Sequence, residues 1–523
     1  MINQLPTSSI FLLFFLFLFG IGCKQEQVEN DRPNIVFILS DDHSRRTISA
    51  YGDSINHTPN IDRIANEGAL FINSFCANSI CAPSRSTILT GKHNHLNGVY
   101  TNGSPWNGAQ LQFPRIFKQN GYETALIGKW HLNSDPGDEY DYFKVLTGAG
   151  RQGFYYNPTF LSSEAGEVEE MGYSTDLVTD EALRWLSEQR DTEKPFMMFV
   201  QYKVAHVPRM PAFRFLDKYK NDSIPEPSNL FDDYENRAPY AANAKMPIWK
   251  SNLLPPHGIY DLSKRRYIYL NRMTGEERKR YHAHYDPINE AYEQLKANGQ
   301  LEGDKETRYW YQRFIKDYLR VVDALDENIG KILNYLDERE LAENTIVVYC
   351  SDQGYFTGQH GWAEKRFMYE EALEMPLMMR WPGKIEPKTR VQAMVQNIDY
   401  APTFLEIAGI STPPEMQGRS FVPLLDGTVP DDWRESIYYH YYEHGGHGVP
   451  RHEGVRDDRY KLIHYYTDDV WEFFDLQKDP REMNSVYAEA AYQPEVERLK
   501  QELERLRTQY EVPDSVFVEP YMR

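Results

Sequence analysis

The sequence predicts an α/β protein: a mostly parallel sheet flanked by helices, followed by a smaller C-terminal subdomain built on an antiparallel sheet. Three observations lead there. Short apolar, β-branched runs alternate with helical patterns, which is the signature of strands covered on both faces by helices. Two of those runs end directly in carboxylates, at the edge where such sheets bind their ligands. From Gly418 onward the texture changes to short strands joined by Asp-rich turns.

Taken in order, Asn34 to Ser40 reads as a buried strand that runs into Asp41-Asp42. Pro59 to Glu67 follows as a helix. Thr124 to Ile127 and Phe196 to Val200 are further strands, separated by a helical pattern over Ser174 to Gln189. Residues 217–300 are rich in Pro, Tyr, Asn and charge with weak periodicity, and read as an insertion with short helices beside a substrate cleft. Thr307 to Arg339 carries apolar residues at Phe314, Tyr318, Val321, Val322, Leu325, Ile329 and Leu333, close to a 3.6-residue period. The strand Thr345 to Cys350 then ends in Ser351-Asp352. In the C-terminal part, Glu435 to Tyr442, Val455 to Tyr465 and Val470 to Leu476 read as strands, and Val496 to Tyr510 as a closing amphipathic helix. The expected division is a leader over 1–22, a tether over 23–32, a large α/β domain over 33–417 and an α+β subdomain over 418–523.

The leader is not part of the fold. Ile10 to Phe19 is an apolar run of signal-peptide length, too short for a comfortable membrane span, and Gly20-Ile21-Gly22-Cys23 follows it. Small residues before a cysteine resemble a bacterial lipobox, with lipidation at Cys23. Ordinary signal-peptidase cleavage with Cys23 incidental also fits, because the first residues lack Lys and Arg and Gly20 replaces the usual larger aliphatic. Either route puts the protein outside the cytoplasm, in the periplasm or at the cell surface, and on the lipidation route a lipid anchor is its membrane attachment. The formal charge of −20 argues against nucleic-acid binding. Four cysteines are too few for a disulfide framework. Cys76 and Cys350 are left open between a disulfide and two buried thiols.

Cys81-Ala82-Pro83-Ser84-Arg85, followed by Leu89-Thr90-Gly91, resembles the signature of the formylglycine-dependent (type I) sulfatases of the alkaline-phosphatase-like superfamily. Gly121-Tyr122-Glu123-Thr124-Ala125-Leu126-Ile127-Gly128-Lys129-Trp130-His131 matches the second signature of that family. The resemblance continues in the family's order through Asp41-Asp42, His206-Val207-Pro208, Ser351-Asp352-Gln353-Gly354, Lys365 and Tyr369-Glu370, and then through Lys461 to Ile463 and Asp475 to Asn484.

Asp41, Asp42, Asp352 and Gln353 offer four oxygen donors, three of them anionic, a set that suits Ca²⁺. Singly, each Asp would more often cap a helix or make a turn. The resemblance implies that they hold the metal together with residue 81. It further implies that a maturation enzyme oxidises Cys81 to formylglycine, whose hydrated aldehyde supplies the nucleophilic hydroxyl. Arg85, Lys129 and Lys365 are then expected on sulfate oxygens, His131 as the base at residue 81, and His206 with Lys365 at the departing sugar oxygen. His360, His447, Arg451 and His452 are candidates for sugar contacts. The expected substrate is a sulfated polysaccharide or its oligosaccharides, either a glycosaminoglycan or an algal polymer such as ulvan or carrageenan. The Asp-Gln-Gly, Lys-Arg-Phe-Met-Tyr-Glu and Arg-His-x-Gly-Val-Arg segments look most like bacterial glycan sulfatases, including those acting on N-acetylglucosamine 6-sulfate. A phosphonate or phosphate ester hydrolase of the same superfamily and a non-catalytic glycan-binding lipoprotein are the alternatives.

Overall fold

The computed structural model describes residue 1 and residues 32–52, 54–248 and 267–518. The leader, Cys23 and most of the expected tether lie outside the described residues. The strands in chain order are β1 (Asn34–Ser40), β2 (Ala69–Phe71), β3 (Ser74–Phe75), β4 (Glu123–Gly128), β5 (Tyr142–Leu146), β6 (Thr159–Ser162), β7 (Gly166–Glu169) and β8 (Phe196–Gln201). They continue with β9 (Thr345–Ser351), β10 (Leu377–Arg380), β11 (Thr389–Val391), β12 (Val395–Gln396), β13 (Ser436–Tyr441), β14 (His452–Asp457), β15 (Tyr460–Tyr465) and β16 (Val470–Asp475). Ten of them form one sheet in the order β11-β2-β10-β9-β1-β8-β4-β5-β6-β7. Its centre, β9-β1-β8-β4-β5, is parallel throughout, and the antiparallel pairs lie toward its two sides.

Register brings the chemistry together. Ser40 pairs with Ser351, and Gly128 with Gln201, so β1, β9, β4 and β8 release the chain at one edge of the sheet. Asp41, Asp352, Lys129 and the loop from Tyr202 onward therefore leave side by side. Side chains alternate along β1. Ile35, Phe37 and Leu39 pack into one apolar layer with Phe199 and Phe404, while Val36 and Ile38 pack into the other beneath the helix Asp304–Glu338. Burial on both faces accounts for the unbroken apolar strand sequences.

β13 to β16 form a separate antiparallel sheet in sequential order. The helix Gln493–Gln509 covers it, with Val496, Leu499, Leu503 and Leu506 packed on Tyr438, Val455, Leu462 and Phe473. Two expectations are revised. Val455 to Tyr465 is two strands, because the Asp457 carboxylate accepts from the backbone N–H of Arg459 (2.9 Å) and Tyr460 (2.6 Å) and turns the chain there. The described part of the insertion also holds a long helix, Gly275–Ala297, started by a Thr274/Glu277 capping box. Only Tyr281, Tyr285 and Tyr292 of that helix are buried, which leaves its apolar period faint. Cys76, Cys81 and Cys350 are buried free thiols.

Phe37 meets Phe199 and Phe404 edge-on at 5.4 and 5.3 Å between ring centroids, in the middle of the main core. Phe37→Ala should cost about 3–5 kcal/mol of stability, read by equilibrium denaturation. A loss below about 1 kcal/mol would contradict this packing.

Candidate active site

The helix Cys81–Thr90 is buried along its whole length and puts Cys81 in its first turn, facing the strand-end cluster. The positive end of the helix dipole favours an anion there. Ser84 Oγ donates to the carbonyl of Asp352 and accepts from Asn397 Nδ2 (2.9 Å), which pins the helix to the end of β9. Gly128 has φ +102°, and a Cβ there would lie 1.9 Å from the carbonyl oxygen of Gln201. Glycine thus lets β4 close on β8 and lets Lys129 N donate to that same oxygen (2.7 Å). Gly354 is needed for space: its Cβ would meet the Glu371 carbonyl at 2.2 Å.

Three fully buried aspartates meet at this edge, and each is paired with one cation. Lys129 Nζ contacts Asp41 Oδ2. Lys365 Nζ bonds both oxygens of Asp42 (2.6 and 2.8 Å). Arg85 Nε donates to Asp352 Oδ2 (3.0 Å), and its Nη1 donates to Gln201 Oε1 (2.6 Å) and to the Lys129 carbonyl (3.0 Å). One carboxylate oxygen from each aspartate lies within 4.8 Å of the other two, and Asp41, Cys81 and His206 form a second such group. Gln353 donates through Nε2 to Asp42 Oδ1 (2.5 Å) and lies 3.8 Å from Cys81 Sγ. Asp41 Oδ1 and Gln353 Oε1 are buried without hydrogen-bond partners among the described residues.

The charges respond to one another. Burial works against ionising Asp41, but Lys129, with His206, Arg85 and Lys365, holds its carboxyl well below the usual range. Burial raises Asp42 in spite of Lys365, with repulsion from Asp41 adding to it. Burial and the neighbouring Asp41 push Asp352 up to about 7 against the pull of Arg85. Burial also pushes the Cys81 thiol far up, so a thiolate is disfavoured there. Burial and the nearby Lys129 keep His131 well below its usual value. Its Nε2 accepts from the Gln152 amide (2.6 Å). Burial likewise lowers His206. Its Nδ1–H donates to the Val207 carbonyl (2.8 Å), which turns Nε2 the other way.

The four candidate sugar contacts fall in different places. His447 is close by: its Nδ1 is 3.6 Å from Glu364 Oε2, and Glu364 Oε1 is 3.6 Å from Lys365 Nζ. Despite burial, Lys365 and His447 hold the Glu364 carboxyl down at about 2. His360 is fully buried, bonded to Asp232 (2.6 Å) and packed at a tilt against the rings of Trp362 and Tyr369. His452 is fully buried among Tyr439, Tyr441 and Tyr465. Arg451 sits over the Tyr466 ring. The structure thus packs His360 and His452 as aromatic-core residues. Their density in polar sequence segments suggests a surface, but the neighbouring tyrosines fold inward with them.

Sequence reasoning did not single out Lys203 or Glu364, the latter 3.6 Å from Lys365. Lys203 lies two residues beyond β8 and is 2% exposed. Burial and then Lys129 push its ammonium down to about 7, in spite of Asp41, Asp42 and Cys81. Its place just after a strand and before His206 was the available signal.

Comparison with known proteins accords with this geometry. The sulfatase family profile matches residues 33–410, and that of the N-sulphoglucosamine sulphohydrolase C-terminal region matches residues 358–509. The chain is 43% identical over 521 residues to an N-acetylglucosamine-6-O-sulfatase of Bacteroides thetaiotaomicron, covering 97% of this chain and 92% of that protein. A solved structure of a protein in complex with its substrate D-glucosamine-2-N,6-O-disulfate superposes with a TM-score of 0.89 at 43% identity, over 93% of this chain and 100% of that one. An ulvan-active sulfatase of Formosa agariphila is 25% identical over 506 residues, 92% of this chain and 83% of that protein. With the family profile spanning most of its length and a relative this similar aligned nearly end to end, the chain belongs to the sulfatase family and is a sulfuric ester hydrolase.

Proposed function

We propose that this sulfatase works outside the cytoplasm and removes 6-O-sulfate from glucosamine units of glycosaminoglycan-type glycans, with Ca²⁺ and a formylglycine made from Cys81 by a maturation enzyme. The observation that carries the substrate is the near full-length, 43% identical match to an N-acetylglucosamine-6-O-sulfatase. The leader sequence supports export, by signal-peptidase cleavage or by lipidation of Cys23.

The residues present fit a calcium ion. Asp41, Asp42 and Asp352 would hold it, since one oxygen of each converges there and Asp41 Oδ1 is buried without a partner among the described residues; Gln353 would join them by turning its amide, which now faces Asp42 through Nε2, to present Oε1. Bound, the ion supplies Lewis-acid polarisation at the hydroxyl of residue 81. The site also fits a neutral hydrated aldehyde better than a thiolate, because burial penalises the charged sulfur. Arg85, whose buried Nη2 has no partner among the described residues, joins Lys129 and Lys365 in binding sulfate oxygens. His131, kept neutral, takes the proton of the residue 81 hydroxyl at Nε2 once that atom exchanges its Gln152 contact. His206, whose Nδ1–H is held by the Val207 carbonyl, would serve the departing sugar oxygen from Nε2 in its doubly protonated form, which the anionic substrate favours.

The direct test measures sulfate release from N-acetylglucosamine 6-sulfate, N-sulfated glucosamine 6-sulfate, and ulvan and carrageenan fragments. The glucosamine 6-sulfates should be preferred by about tenfold or more, about 1.4 kcal/mol, whereas preference for an algal fragment would overturn the substrate reading. Chelator treatment should lower activity about 100-fold or more and reduce the melting temperature, with Ca²⁺ restoring both. Full activity after complete metal removal would contradict the metal set. His206→Ala should cost about 100-fold in kcat/KM on sugar sulfates but less than about tenfold on aryl sulfates, whose leaving groups need no proton. Equal losses on the two would count against its role at the leaving oxygen.

A further inference from the structure

We propose that Lys203 is an additional substrate-binding residue of this site, its ammonium pairing with an oxygen of the substrate's sulfate group. The inference rests on the sulfatase chemistry above and does not depend on which sugar carries the sulfate.

Three cations of the site, Lys129, Lys365 and Arg85, each have an aspartate partner. Lys203 does not. The residue is only 2% exposed, and its Nζ is buried with no hydrogen-bond partner among the described residues. Its position is nevertheless tightly set. The Lys203 carbonyl accepts from His206 N (2.9 Å), and Tyr155 OH donates to the His206 carbonyl (2.7 Å). The Tyr155 ring lies under the Lys203 ammonium, 5.4 Å from Nζ to the centroid. One short loop therefore fixes Lys203 and His206 together. The chain on either side of Lys203 is bonded to the end of β1, Tyr202 N donating to the Leu39 carbonyl (2.8 Å) and Asp41 N to that of Val204 (2.7 Å), so Lys203 stands at the nucleophile's end of the sheet.

A buried ammonium without a counter-ion is costly, so burial draws Lys203 toward its neutral amine, and an anion arriving beside Nζ would restore the charge. The aspartates already serve other cations, and the one unpaired oxygen of Asp41 belongs to the carboxylate group. The compensating charge is then the one that arrives with the substrate. An ammonium so placed binds a sulfate oxygen without the cost of breaking an existing ion pair.

The test compares the full Ca²⁺-loaded chain with Lys203→Met and Lys203→Arg. Inorganic sulfate is titrated by calorimetry and thermal melting, and steady-state kinetics are measured on N-acetylglucosamine 6-sulfate, or on whichever sulfated sugar the wild type hydrolyses. Lys203→Met should weaken sulfate binding and raise KM by about 10- to 100-fold, the worth of one charge-assisted contact. Its melting temperature without sulfate should equal or exceed that of the wild type, because an unpaired buried charge has gone. Lys203→Arg should recover part of the sulfate affinity. Sulfate affinity and KM within about threefold of wild type, a wild type that sulfate does not stabilise, or a fall in melting temperature of more than about 5 °C in Lys203→Met would each overturn the proposal. Failure of the substrate reading is distinguishable, since it appears in the wild type alone as a preference for another sugar.

Discussion

Everything in this molecule is arranged around the problem of holding three aspartates together away from water. Asp41, Asp42 and Asp352 are each essentially unexposed. Each is tolerable because one cation is locked to it, and removing one partner of such a buried pair typically costs about 3–5 kcal/mol. Local structure serves those pairings. The β1–β9 register levels Asp41 with Asp352, the tight β4–β8 approach at Gly128 delivers Lys129, and the buried helix Cys81–Thr90 delivers Arg85. The same arrangement gives the site its poise. A dication entering among the carboxylates would take over their compensation and leave Lys129, Lys365 and Arg85 free to hold an anion.

The small C-terminal sheet contributes by holding the segment that carries Lys365. Glu370 is bound by Arg456 Nη2 (3.1 Å) on β14 and by Lys461 Nζ (2.7 Å) on β15, and its backbone N–H donates to Glu482 (2.7 Å). Tyr369 OH donates to Glu472 on β16. Lys461 also pairs with Glu482 (2.7 Å), and burial with nearby Glu370 pushes the Glu482 carboxyl up to about 8 against Lys461. The insertion works from the other side, where Ile248 N donates to the Gly361 carbonyl and Ala363 N to that of Met246. Lys365 is thus set from both directions by residues remote in sequence.

What the sequence shows and what it hides follow from the range of the interactions. Strands with both faces buried announce themselves as unbroken apolar runs, and the long helix Asp304–Glu338 does so by its period, so the sheet and its carboxylate edge were readable. Asp41, Cys81, Arg85, Lys129 and Asp352 were readable because they sit in compact motifs. Lys203 was not, because a single lysine after a strand carries no local mark, and its significance lies in a partner it lacks. The burial of His360 and His452 was hidden for the converse reason: polar residues in an aromatic segment look like a surface, whereas the structure packs rings around both. The helix Gly275–Ala297 was hidden because it buries only three tyrosines.

The most direct measurement is a mass spectrum of the tryptic peptide Ile64–Arg85 from protein made alongside a maturation enzyme. Cys81 should be found as the aldehyde, because Cys81 to Arg85 resembles the maturation signature and a buried thiol held in its neutral form is a poor nucleophile. An unmodified thiol at position 81 in protein that nonetheless hydrolyses sulfate esters would contradict it.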